Sequence, residues 1–197
     1  MLAVDRRLLA GSLAAAALIV VGAGWYLSAG DGDDGVESVD MGSPTIVQDP
    51  TLGTNAPVQG EPLPEVTLRD TDGNDVALAH LEGEPLVINF WYSGCVPCKQ
   101  EMPELGAAAD RLADRVTFIG VNLADSADVA QEFADEHGAK YLQLLDTNGE
   151  LASEVGVNVQ PTTLFVAPDG SIVRQKAGEL SADALDTALA EAFPGVS

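Results

Sequence analysis

The chain holds two cysteines, placed together as Cys95-Val96-Pro97-Cys98. Two thiols with two residues between them can close a disulfide without rearranging the backbone. Their natural chemistry is therefore two-electron exchange with another dithiol or disulfide. The apolar run Leu86-Val87-Ile88-Asn89-Phe90-Trp91 in front reads as a buried strand, and Met102, Leu105, Ala109 and Leu112 behind fall on one helical face. Cys95 is thus expected where a helix begins. The free N–H groups and dipole there favour its thiolate by about 0.3 to 2 kcal/mol, up to about 1.5 pKa units. A fall in thiol pKa from about 8.5 to about 7 raises the thiolate share at pH 7 about sixteenfold, but falling nucleophilicity takes back about four- to sixfold. The stronger effect is on leaving ability and on the stability of the reduced form, so the helix end sets redox poise. Cys95 is expected to be the open, attacking sulfur and Cys98, one turn inward, the sulfur that resolves a mixed disulfide.

Metal binding is the competing use of such a pair. Zinc wants four ligands, no third thiol exists, and His80 and His137 lie at unrelated positions, so no metal site is expected. Copper(I), content with two soft thiolates, stays open as an alternative, either carried or inserted by an assembly factor.

The elements that must position the sulfurs are legible around them. Val66 and Leu68 alternate with polar neighbours, Asp70 to Asn74 supplies a turn, and Val76 with Leu78 alternates again, which is a β hairpin. Val116 to Val121 is a second apolar strand, so strand, helix and strand imply a parallel pair joined by a crossover. Ser126 is a candidate cap for a helix ending at Gly138, and a short helix is expected from about Asn148 to Val155. Strands Thr162–Ala167 and Ser171–Gln175 are joined by Pro168-Asp169-Gly170 and should be antiparallel. A last helix is capped by Ser181, with Leu180 and Leu185 as a hydrophobic staple and Leu185, Leu189 and Ala192 as its stripe. The fold class is α/β with a mixed sheet.

Composition bounds the rest. Among 197 residues, 31 acids against nine bases leave a net charge of -22, which repels phosphate backbones, so no nucleic-acid partner is expected. Leu8 to Ser28 carries no charge, and about 21 residues at about 1.5 Å each reach about 30 Å, enough to span a bilayer. Arg6 and Arg7 precede the run, and Asp31, Asp33 and Asp34 come after it, which keeps the N-terminus cytoplasmic and exports the remainder of the chain. Ser28-Ala29-Gly30 also offers a cleavage site, so a secreted, leader-cleaved form is the alternative. The organisation expected is a membrane anchor over 1–29, a flexible acidic linker over 30–60 and a catalytic domain over 61–197. A docked arm is the other reading of the linker, since Ile46, Val47 and Leu52 could settle locally.

The block Asn89-Phe90-Trp91-Tyr92-Ser93-Gly94-Cys95-Val96-Pro97-Cys98-Lys99-Gln100-Glu101-Met102-Pro103 resembles the active-site block of thioredoxin-fold proteins. More narrowly it is similar to the membrane-anchored TlpA/ResA-type thiol-disulfide oxidoreductases. Gln160-Pro161-Thr162-Thr163 resembles the same family's cis-proline loop, and the resemblance covers about residues 61 to 193. It implies a thioredoxin fold with an added N-terminal β hairpin. It also implies a cis Pro161 facing the Cys95 sulfur, with the Gln160 backbone turned outward to pair with an extended substrate strand, and Trp91, Val96 and Pro97 as further substrate contacts. Thioredoxins proper carry an ionisable Asp where this chain has Asn89. The proton of Cys98 must go elsewhere, and Glu101, three residues on along the same helix face, matches the functional Glu of the TlpA/ResA-type proteins. Two departures stand out: Gly94 replaces the usual Trp before the first cysteine, and Val-Pro replaces the commoner Gly-Pro.

The function expected is an extracytoplasmic thiol-disulfide oxidoreductase that reduces disulfides of exported proteins, apocytochrome c among the family's substrates. Electrons would come from a membrane thiol donor. It needs no cofactor beyond its own sulfurs and works as a monomer. A peroxiredoxin-like activity is disfavoured because a peroxidatic loop needs Thr three residues before the cysteine, where this chain has Tyr92.

Overall fold

The computed structural model describes residues 54–81 and 83–196, so the anchor over 1–29 and the linker up to residue 53 lie outside the described residues. The sheet is organised around β3 (Leu86–Trp91), buried at all six positions. A strand covered on both faces must be apolar throughout, as this one is except at Asn89. On one side β3 pairs in parallel with β4 (Thr117–Asn122), and on the other it pairs antiparallel with β6 (Thr162–Val166). Helix α1 (Val96–Leu112) makes the β3 to β4 crossover, and α2 (Ala127–Glu136) leads from β4 to β5 (Leu142–Leu145), which pairs in parallel with β4.

The hairpin forms as expected, from β1 (Thr67–Asp70) and β2 (Asp75–Ala77), with Gly73 at φ +90 in its turn. It joins the sheet through β1, antiparallel to β5. The short α3 (Glu150–Glu154) precedes β6, β7 (Ile172–Ala177) pairs antiparallel with β6, and α4 (Ala182–Ala192) comes last. The strand order is β2-β1-β5-β4-β3-β6-β7. This is a thioredoxin-type mixed sheet with helices on both faces.

Alternation along β3 divides the core. Leu86, Ile88 and Phe90 face a cluster that includes Leu151 and Val155 near α3 and Val58 and Leu63 from the N-terminal segment. Val87 faces α1 and α4 through Leu105, Leu112, Leu185 and Leu189. Trp91 faces Met102 of α1 and Ala130 and Ala134 of α2, in the cluster that also holds both cysteines.

Three sequence expectations are corrected. β5 is absent from the sequence reading, because Leu142-Gln143-Leu144-Leu145 is four residues long with a polar side chain at a buried position. The domain begins by residue 54, ahead of residue 61: Val58 is 8% exposed, and Ala56 and Gly60 donate to Gly156 and Ile172. Helix α3 is shorter than expected, since the Asp146 carboxylate accepts the N–H groups of Glu150 and Ala152 and so fixes where it starts.

Candidate active site

Cys95 is the N-cap of α1, with extended backbone, and its Sγ accepts the N–H of Cys98 at 3.2 Å. Cys95 and Cys98 are joined in a disulfide, with Cα atoms 5.2 Å apart. Pro97 has no N–H to offer and Lys99 N–H donates to the Cys95 carbonyl at 3.2 Å, so among the described residues Cys98 supplies the one donor to the sulfur. The turn leading into the helix is fixed from below. Ser93 N–H and Oγ donate to the Asp125 carboxylate at 2.7 and 2.6 Å, and Asn122 Nδ2 donates to it at 2.7 Å. Burial opposes ionisation of Asp125, but the hydrogen bonds from Ser93 and Asn122 outweigh it and hold the carboxyl below its usual value.

The expectation of an open Cys95 is corrected: the residue is 4% exposed, and Cys98 is fully buried. In the disulfide the first sulfur belongs to the cluster of Trp91, Met102, Ala130 and Ala134. What is open is its surroundings, exposed Gly94 on one side and Val96, 68% exposed, on the other, with Pro97 half-buried. Trp91 is also corrected as a substrate contact. It is fully buried, donates its Nε1–H to Gln143 Oε1 at 3.1 Å and stacks on Phe133 at 5.6 Å. Gly120 makes room for that bond, because a Cβ there would lie 2.0 Å from Gln143 Oε1.

Glu101 lies on the inner face of α1, three residues from Cys98, and is fully buried. Its Oε1 accepts Asn89 Nδ2 at 2.7 Å and its Oε2 accepts the Leu180 N–H at 2.8 Å. Burial pushes the carboxyl up to about 7, against the Leu180 and Asn89 donors, with Glu179 adding to the rise and Lys176 opposing it. A carboxyl poised there can take or return a proton near neutral pH. Asn89 also donates to Thr163 Oγ1 at 3.1 Å.

The peptide bond between Gln160 and Pro161 is cis, as the resemblance implied. Pro161 is buried and Gln160 half-buried. The β3–β6 register ends at Phe90 opposite Thr162, so the 160–161 bond sits one step beyond it, at the end of the sheet where the chain turns toward Cys95. The structure thus gathers Cys95, Val96, Pro97, Cys98, Gln160 and Pro161 at one end of the sheet, sets Glu101 behind them and withdraws Trp91 into the core.

Sequence reasoning missed Asp125, Asn55 and the Leu180 N–H. For Asp125 a signal existed, because Asn122 Oδ1 accepts the N–H groups of Ala124 and Asp125 in a side-chain-built turn of the kind Asn favours. Main-chain N–H groups leave no trace in residue identity.

Comparison with known proteins agrees with this arrangement. A family model described as AhpC/TSA family matches residues 59–175. The thiol-disulfide oxidoreductase ResA of Oceanobacillus iheyensis is 31% identical over 140 residues, which span 68% of this chain and 73% of that protein. The structure of MTB DsbF in mixed oxidized and reduced forms matches with a TM-score of 0.61 at 32% identity, covering 70% of this chain and 99% of that one. A secreted Mycobacterium tuberculosis disulfide oxidoreductase homologous to E. coli DsbE matches with a TM-score of 0.57 at 27% identity, covering 64% and 95%. The chain belongs to the AhpC/TSA family, as a thioredoxin-like thiol-disulfide oxidoreductase of the TlpA/ResA type.

Proposed function

We propose that this oxidoreductase works outside the cytoplasm as a reductant of disulfides in exported proteins, with the disulfide of apocytochrome c, reduced to free thiols before haem attachment, as the candidate substrate class. The observation that supports the direction is that, among the described residues, the Cys98 N–H is the one donor to Cys95 Sγ in the disulfide form. A thiolate left with that one donor when the disulfide opens is only moderately stabilised, which would leave the dithiol willing to give up its electrons. The uncharged run Leu8 to Ser28 supports export, and the Mycobacterium tuberculosis relative is described as secreted.

Atoms and electrons balance through the cycle. The Cys95 thiolate attacks one sulfur of the substrate disulfide; that S–S bond breaks, a mixed disulfide forms and a substrate thiolate leaves. Cys98 gives its proton to the Glu101 carboxylate and attacks Cys95 Sγ. The internal disulfide re-forms, the second substrate thiol is released, and two electrons have passed to the substrate. A membrane-bound dithiol donor must then reduce Cys95–Cys98 by the same exchange in reverse. Val96, Pro97 and the Gln160–Pro161 main chain are assigned to substrate contact.

The reduction potential tests the direction. A value near the thioredoxin end, about -270 mV, is expected, whereas about -180 to -120 mV overturns the reductase reading in favour of an oxidase. Trapping tests the substrate. Cys98→Ser in the full chain should accumulate mixed disulfides with an exported partner and Cys95→Ser should accumulate none; equal trapping by both overturns the assigned roles.

A further inference from the structure

Before β1 begins, residues 54–63 form a strap across two loops. At one end Gly60 N–H donates to Ile172 and Leu63 N–H to Gly170, while Glu61 C=O accepts from Ile172. At the other end Asn55 sits on the 156–162 loop, which leads into Pro161. Asn55 Oδ1 accepts the N–H groups of Asn158 and Val159 at 2.8 and 3.1 Å. Its Nδ2 donates to Thr162 Oγ1 at 2.6 Å, and that hydroxyl donates to Val159 C=O at 2.8 Å. Ala56 N–H adds a bond to Gly156 C=O at 2.9 Å, and Asn158 Nδ2 returns one to Thr54 C=O at 3.1 Å. The approach is so close that a Cβ at Gly156, which lies at φ +62, would be 2.5 Å from Ala56 Cβ.

One side chain thus accepts two adjacent loop donors and gives a hydrogen to the hydroxyl beyond them, which among common residues an amide does and a carboxylate or an alkyl group does not. Gln160 lies between the clasped positions, and its N–H and C=O have no partner among the described residues. We propose that Asn55 is a positioning residue for substrate: it clasps the 156–162 loop so that the Gln160 main chain meets an extended, disulfide-bearing peptide in a single geometry. The proposal rests on the strand-pairing reading of Gln160. A peptide captured through main-chain bonds gains affinity from a loop ordered before it arrives.

The test uses single turnovers of the pre-reduced full chain against increasing excess of two disulfides, an unstructured peptide closed by one internal disulfide and 5,5′-dithiobis(2-nitrobenzoate), which has no main chain to pair. KM and kcat are read as the half-saturating concentration and the limiting rate. Asn55→Ala should raise KM for the peptide about fivefold, roughly one net hydrogen bond, with kcat changed by less than about twofold and the small disulfide unaffected. Asn55→Asp, which keeps the acceptor and loses the donor, should fall between. Amide exchange at Asn158 and Val159 should quicken in Asn55→Ala. The buried Val58 and the bonds at 60–63 keep the strap in place, so the variant should remain folded. Equal losses with both disulfides make the residue merely structural, and an unchanged KM or unchanged exchange removes the clasp; either overturns the proposal. If the wild type reduces the small disulfide but not the peptide, the pairing role of Gln160 fails and takes the proposal with it.

Discussion

Glu101 is where pH should act. Its carboxyl is raised by burial from 4.5 to about 7, so the folded state holds that proton more tightly than the unfolded chain does. The stability it contributes is fully present below about pH 4.5 and is lost as pH rises through about 7, by up to about 3 kcal/mol. Denaturant unfolding of wild type and Glu101→Gln at pH 5 and pH 8 should show the balance moving toward the variant at pH 8, and a constant gap would contradict a burial-raised carboxyl. In thiol exchange, Glu101→Gln should lose the rate limb near pH 7 and about 10²-fold in rate. Asn89→Leu removes a donor that favours the ionised carboxylate, so the limb should move to higher pH; a limb that stays fixed would leave the 2.7 Å bond without effect on titration. The position of Glu101 was legible because i and i+3 share a helix face. Its burial was not, because that depends on Leu180, whose N–H arrives from 79 residues away.

At the scale of elements, the site depends on α1 lying close to the turn after α2. Gly106 allows this, since a Cβ there would be 2.1 Å from the Gly138 carbonyl oxygen, a backbone atom that cannot swing aside. Gly106→Ala should cost about 1–3 kcal/mol by overpacking and lower Tm by several degrees, measured by calorimetry. A neutral result would mean that α1 shifts as a unit. The strands with continuous apolar runs, the helices with clear stripes and the Asp-Gly turns were readable because each carries its own period or breaker. β5 was not, because its identity comes from its neighbours: β4 on one side, β1 on the other, and Gln143 tolerated inside because its Oε1 accepts from Trp91 and its Nε2 donates to the Ala139 and Tyr141 carbonyls. The Ser181 cap is realised by a bond from Ala184 N–H, whereas Ser126 caps α2 without a side-chain bond, a difference that residue type alone does not encode.

For the whole molecule, the net charge of -22 is the dominant long-range term. The salt bridges among the described residues, Arg69–Asp75, Arg111–Asp186 and Arg174–Glu191, join side chains 37% to 72% exposed, so screening them forfeits little. Added salt should instead relieve self-repulsion, and Tm should climb as NaCl is raised toward 1 M. A flat or falling Tm would show that the acids are already neutralised locally. The sliver of surface left to Cys95 bears on how the molecule treats its surroundings. Reagents that collide at random meet a sulfur only 4% exposed, so the oxidised protein should resist a bystander's thiols and accept electrons chiefly from a donor shaped to dock on Gly94, Val96 and Pro97. Selectivity would then be enforced by the angle of arrival, ahead of any difference in electron affinity.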